Sequence, residues 1–202
     1  MRRLALALAL FTAVPFAPHV RAAGADAGLG LEVSVPGAGD YDLFEPGYGL
    51  NFAFRRWCTD QTGYQLGIGY TQWDAGDGER VGSRLTDFSG DALAVPFGLS
   101  ALFRAAELPV ALELGLRYVL MESDLEAVNL DAGESAALDI EDSVIGLVAV
   151  HTDWELSAST RLGVDLGYQF DVSPGEVDSR FGDAGEVELQ SFFLRVGLRW
   201  PL

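Results

Sequence analysis

Lysine is missing from this chain of 202 residues: all 13 basic residues are arginines, set against 30 Asp and Glu. A chain so short of positive charge does not hold nucleic acid, which needs a basic surface for its phosphates. The single cysteine, Cys58, excludes an internal disulfide. With His19 discounted as part of the N-terminal segment, one cysteine and one histidine, His151, cannot build a metal site. Past the N-terminus no stretch approaches the roughly 18 consecutive apolar residues of a membrane helix. Yet the mean hydropathy is positive and there are 24 glycines. Apolar, glycine-rich and without helix-length runs, the chain points to an all-β protein.

The N-terminus stands apart. Met1-Arg2-Arg3 is a basic start, and Leu4 to Phe16 is an apolar run broken only by Thr12 and Pro15. Val20-Arg21-Ala22, or Ala23-Gly24-Ala25 just after it, offers small or apolar residues where a signal peptidase reads. This predicts a secretory signal peptide over 1–22, with cleavage as late as 25, and a mature domain over 26–202. Removal of Arg2, Arg3 and Arg21 leaves 10 arginines against 30 acids, a formal charge near −20.

The mature domain has a period of two. In its last stretch Phe192, Leu194, Val196, Leu198 and Trp200 alternate with Ser191, Phe193, Arg195, Gly197 and Arg199. A strand carried to the final residue is expected to belong to a sheet that closes on itself. Seven more strands are predicted, over 28–35, 48–57, 64–73, 91–104, 110–121, 143–152 and 161–172. The sixth, Ser143 to Thr152, is apolar on both faces, so its register stays open. Connections alternate long and short, the long ones including 74–90, 122–142 and 173–187. An even strand count with that alternation is the up-and-down membrane-barrel pattern.

Volume separates a membrane barrel from a soluble one. The large faces together carry over thirty apolar and aromatic side chains, whereas an eight-stranded barrel has an interior only just wide enough for side chains to fill. The opposite faces carry Gly, Ala, Ser, Asn and a few charges, which fit a narrow lumen. The large face must therefore meet lipid. Tyr48, Tyr70, Tyr118, Tyr168 and Phe170 fall toward the long-connection ends, and Phe54, Tyr64, Phe103 and Trp200 toward the short-turn ends, as two interfacial belts would require. The expected fold is an all-β, eight-stranded, antiparallel up-and-down transmembrane β-barrel.

The last eight residues, Arg195-Val196-Gly197-Leu198-Arg199-Trp200-Pro201-Leu202, resemble the C-terminal assembly signal of bacterial outer-membrane barrels, with Arg195, Gly197, Trp200 and Leu202 at its marked positions. Leu202 stands where the terminal residue is usually Phe. The chain is similar to the small eight-stranded outer-membrane class that includes OmpA-like, OmpX-like and OmpW-like proteins. The resemblance implies Sec-dependent export, periplasmic chaperones, insertion by the barrel-assembly machinery, and a place in the outer membrane of a Gram-negative bacterium. It also implies termini in the periplasm and long loops outside the cell.

Inward charges are the first candidate site. Glu32, Glu113 and Asp165 are predicted three or four residues in from the periplasmic strand ends, with Arg117 and Arg195 nearer mid-height, as a salt-bridge plug or a gate. Arg55, Arg104, Arg161 and Arg199 are expected around the periplasmic mouth. Enclosed charges must pair or be hydrated. Lipid A-modifying enzymes exist on this scaffold, but a hydrolase would need a Ser with its His. His19 leaves with the signal peptide, and His151-Thr152-Asp153 lacks a His-x-Ser pattern, so His151 is expected at an interface or the lumen rim. The long loops hold most of the acid: 122–142 carries eight Asp and Glu and no basic residue. They are expected as solvated loops. No cofactor is expected beyond divalent cations bound by these loops, for which Asp74 to Glu79 gives a weak hint without EF-hand spacing. Two functions emerge as expectations. One is a non-enzymatic structural or surface protein contacting outer-membrane lipid and lipopolysaccharide through its loops. The other is a small porin-like channel for polar or hydrophobic solutes.

Overall fold

A computed structural model describes residues 24–37, 44–76, 85–104, 110–129, 133–179, 182–187 and 189–202. The predicted signal peptide lies outside the described residues, as do Asp77 and Glu79. Eleven strands are present among the described residues: β1 (Gly24–Pro36), β2 (Gly47–Trp57), β3 (Thr62–Asp74), β4 (Leu85–Arg104), β5 (Val110–Asn129), β6 (Glu134–Ile140), β7 (Ser143–Ser157), β8 (Thr160–Ser173), β9 (Gly175–Ser179), β10 (Gly182–Val187) and β11 (Ser191–Pro201).

Eight of them close a barrel in the order β1, β2, β3, β4, β5, β7, β8, β11, every pair antiparallel. Closure is made by β1 against β11, from Asp26 opposite Pro201 to Pro36 opposite Ser191, and the Leu202 amide donates to the Ala25 carbonyl at 2.8 Å. Closing the sheet removes both edges, so the barrel's own backbone groups are satisfied without water, as a membrane demands.

The alternation sets the two faces. Leu29, Leu31, Val33 and Val35 point out, and Glu32 and Ser34 are buried between them. The same holds for Leu112, Leu114, Leu116 and Tyr118 on β5 and for Phe192, Leu194, Val196, Leu198 and Trp200 on β11. This continuous apolar girdle is far larger than any patch a soluble protein leaves in water; it is the lipid-facing surface of a transmembrane barrel. The strand left without a register is settled: on β7, Ser143, Ile145, Leu147, Ala149 and His151 face in, and Val148 and Val150 face out.

The long connections depart from expectation. Strand β4 starts at Leu85 and β5 continues to Asn129, still paired with each other, while β6, β9 and β10 extend the sheet from β5 in that order. The segments expected as solvated loops instead build a five-stranded sheet standing on one side of the barrel. Its cause is the same period of two: Leu125, Ala127, Ala136, Leu138, Ile140 and Val177 all turn to one side, with acids between them on the other. That inner side, Ala136 apart, packs with Trp73, Ala92, Ala94, Val119, Ile145, Val187 and Leu189 into one apolar cluster, joined by Phe44, Phe88 and Met121. The cluster roofs the lumen at the long-connection end.

Candidate functional site

Beneath this roof the lumen is filled by a polar layer to which all eight barrel strands contribute. Its centre is Glu113 on β5, fully buried. Oε1 of Glu113 accepts from Ser100 Oγ at 2.5 Å and from Gln65 Nε2 at 2.8 Å, and Nη2 of Arg117 lies 3.6 Å away. Oε2 faces Nε2 of His151 at 2.8 Å. The other ring nitrogen, Nδ1, meets Asp165 Oδ1 at 2.7 Å and Arg55 Nη2 at 2.8 Å. Arg55 also donates to Gln65, and Arg199 bonds both Asp165 and Asp153. Higher up, Arg195 is paired with Glu32, which also accepts from Thr71 at 3.4 Å, and its guanidinium stacks on the Phe193 ring at 4.0 Å.

Local strand geometry explains the assembly. Glu113 and Arg117 are four apart on one strand, so both face inward. Asp165 is directly opposite His151 on one side and Arg195 on the other, and Arg195 is opposite Glu32. Inward positions of a narrow barrel have nowhere else to go, so each charge finds an opposite one within the lumen.

Of the residues singled out from the sequence, Glu32, Glu113, Arg117, Asp165 and Arg195 all lie in this layer. Three placements differ from expectation. Glu32 is level with Arg195 rather than below it, because β1 begins at Gly24 and Glu32 is well inside the strand. Arg55 and Arg199 are buried in the network, not at the mouth, because Asp153 and Asp165 draw them inward. His151 is not at a rim or interface; it is 2 % exposed and joins Glu113 to Asp165. The sequence carried its signal, since His151 falls on the inward series Ser143, Ile145, Leu147, Ala149, but two apolar faces hid that series. Arg104 and Arg161 do line the short-turn mouth, a cavity of about 200 Å³ floored by Arg55 and His151, with Arg104 stacked on Trp57 at 4.1 Å. Gln65, Ser100 and Asp153 were not anticipated; short polar residues gave no sequence cue of their own.

Chemically the layer is a network of paired charges. His151, the one histidine among the described residues, has a carboxylate oxygen within 2.8 Å of each ring nitrogen, and the Ser100 hydroxyl donates to Glu113 rather than facing the imidazole. No Ser–His pair is formed for acyl transfer among the described residues.

At the C-terminal strand Arg195 and Gly197 face the lumen side, and Trp200 and Leu202 are exposed. A Cβ on Gly197 would meet the Leu29 carbonyl oxygen at 2.3 Å and the Gly30 Cα at 2.5 Å, so close approach at the seam requires glycine there.

The outer face of the extension forms a second site. Asp91 is opposite Asp124, and Asp139 is opposite Asp178; Leu125 opposite Leu138 brings Asp124 and Asp139 side by side at the end of their ladder. One row of aspartates therefore crosses β4, β5, β6 and β9. A second row runs beside it: the Glu141 amide donates to the Glu176 carbonyl at 2.9 Å, Glu176 is opposite Glu186, and Glu122 lies two residues from Asp124 on the same face. All but Asp91 are exposed.

No protein-family model matches the sequence, and no curated protein does. Solved structures do. OprG from Pseudomonas aeruginosa superposes with a TM-score of 0.59 at 13% identity, over 90% of this chain and 97% of that one. AlkL, solved by solid-state NMR in DMPC bilayers, gives 0.58 at 14% identity over 94% of each chain. Ail, the attachment invasion locus protein of Yersinia pestis, gives 0.52 at 16% identity, over 89% of this chain and 99% of that one. At such identities the likeness is one of fold, and the fold of this chain is that of the small eight-stranded outer-membrane β-barrel proteins.

Proposed function

We propose that this is a non-enzymatic outer-membrane protein with a shut lumen, whose working surface is the acidic face of its extension. In this reading the chain is exported by Sec, escorted by periplasmic chaperones and inserted by the barrel-assembly machinery through its last strand. The extension then stands outside the cell. The observation that carries the reading is the pair of carboxylate rows. Neighbouring strands are about 4.8 Å apart, and like charges directly opposite destabilise a sheet. Among the described residues no basic side chain is paired with Asp124, Asp139, Asp178, Glu122 or Glu176. Such a face is relieved by cations. Glu122 lies four residues beyond Tyr118 of the aromatic belt, which puts the rows at the height of lipid headgroups, about 13 Å along the strand. Divalent cations there link the carboxylates to lipopolysaccharide phosphates. No three described carboxylates converge on one point, so an ion would complete its shell with phosphate and water oxygens.

Flotation of the refolded mature chain with lipopolysaccharide vesicles tests this. Calcium is expected to raise association, and chelator or the double variant Asp139→Asn, Asp178→Asn to lower it. Association that ignores both sinks the reading. The porin-like alternative is addressed by single-channel recording in a planar bilayer. A roof of apolar side chains over a paired ionic layer is expected to give silence; reproducible steps from the wild type would make the protein a channel and Glu113, Arg117 and Arg195 its gate.

A further inference from the structure

One inward row of the barrel wall is almost bare. Reading across five strands, Gly69, Asn51, Gly30, Gly197 and Gly163 are successive register partners, so Asn51 supplies the only side chain in the row. The parallel row below it begins Gly67, Ala53, Gly28. Arg199 lies over Gly28 and Gly163, and the rest of the two rows leaves a trough in the lumen wall, with a cavity of about 20 Å³, lined by Asn51, Gly30, Gly163, Arg195, Arg199 and Asp165 among others. Backbone crowding does not demand all of these glycines. At Gly30 and at Gly67 an added Cβ would meet its nearest neighbours only at 3.4 Å, an ordinary contact. What glycine supplies there is room.

Asp165 lines that room too, but the unmatched groups facing it are donors. Arg195 is 3 % exposed and Asn51 6 %, and Nη1 and Nη2 of Arg195 and Nδ2 of Asn51 have no protein acceptor among the described residues. Beside them, Nη1 and Nη2 of Arg117 also lack a hydrogen-bond acceptor; a Cβ on Gly67 would meet Arg117 Nη2, and one on Gly69 would meet Asn51 Nδ2 at 3.3 Å. The acids nearby are engaged elsewhere: Glu32 by Arg195 Nε and Thr71, Asp165 by His151, Arg55 and Arg199. Buried donors of this kind are costly unless matched. A water molecule accepts hydrogen bonds but brings two more hydrogens to be placed. A halide only accepts, and it carries the charge that guanidinium groups favour.

We propose that the trough is a buried anion site that takes chloride, or a monovalent anion of its size, between Arg195 and Asn51. The site is independent of the carboxylate rows and of any surface function.

The test is the thermal midpoint of the refolded full mature chain in detergent, with sodium chloride replacing sodium gluconate at constant ionic strength. Gluconate is too large for the trough. The wild type is expected to gain a few degrees along a saturating curve. Asn51→Asp places a carboxylate where the anion sits and is expected to abolish the chloride response while raising the midpoint in gluconate. Gly30→Ala, which fits the backbone, is expected to fill the trough and flatten the curve. A wild-type midpoint indifferent to chloride, or a non-saturating rise shared equally by both variants, overturns the proposal. Should a variant fail to fold, bromide-soaked crystals of the wild type decide: an anomalous peak beside Asn51 Nδ2 and the Arg195 guanidinium supports it, and water density there without one overturns it.

Discussion

Glu32 and Arg195 are direct cross-strand partners on the seam between the first and last barrel strands, 163 residues apart in sequence, and Nε of Arg195 donates to Oε2 of Glu32. The pair therefore bridges the closing seam. Both groups are buried, so removing one strands the other's charge, a loss of roughly 3–5 kcal/mol when no rearrangement relieves it. Glu32→Leu and Arg195→Leu are each expected to lower the urea midpoint of the refolded barrel markedly. The double variant, which removes both charges, is expected to recover most of the loss. A double variant as unstable as the sum of the singles would show that the pair contributes nothing through its charges.

His151 gives a different kind of prediction. Its ring touches Glu113 and Asp165, which belong to strands on either side of β7. His151→Leu fills a similar volume but leaves two buried carboxylates short of a partner each. Breaking a buried polar network in this way costs several kcal/mol, about 3 or more. His151→Gln keeps a donor and is expected to lose less. Heat-modifiable gel migration and urea titration measure both. Equal stability of wild type and His151→Leu would remove His151 from the network.

How much of this was legible in the chain depends on the length of each pattern. The barrel was, because seven runs alternate for eight or more residues, an eighth is apolar on both faces, and Arg195 to Leu202 ends the last of them. The extension was not. Leu125-Glu126-Ala127 and Ala137-Leu138-Asp139-Ile140 alternate too, but over so few residues, and amid so much acid, that polarity outweighs period. Glu113, Asp165 and Arg195 announced themselves as charges on glycine-rich faces. Their mutual pairing did not, since it depends on the stagger of strands around the barrel, and stagger is fixed by closure. The glycine row through Asn51 is a register effect of the same kind, spread over five strands that the sequence scatters from Gly30 to Gly197.

The joint between barrel and extension rests on Gly90. It has φ +104°, and a Cβ there would lie 1.9 Å from the Asp124 carbonyl oxygen. Both the backbone conformation and the space forbid a side chain. Gly90→Ala is expected to cost about 1–3 kcal/mol locally and to loosen β4 from β5 above the membrane. Limited proteolysis in vesicles should then cut the extension of the variant sooner than that of the wild type, with heat-modifiable migration of the barrel retained. Unchanged cleavage would mean that the joint tolerates a bulge at this position.

The proposed shut lumen has two barriers, the roof and the ionic layer, and a single substitution separates them. Ile140 is 3 % exposed and packs with Val177 and Leu138 in the apolar roof. Ile140→Asp buries an unpaired charge there, which the roof cannot hold, so β6 and β9 should part from the cluster. Protease sensitivity of the extension is expected to rise. Conductance is not, because Glu113, Arg117, His151 and Asp165 still fill the lumen below. Only when Arg117→Ala is added, removing the large side chain that overhangs Gly67 in the polar layer, should steps appear in a planar bilayer. Steps from Ile140→Asp alone would show that the roof is the sole barrier and that the ionic layer passes ions. Silence from the double variant, with the extension demonstrably open, would show that the remaining ion pairs suffice to seal the barrel.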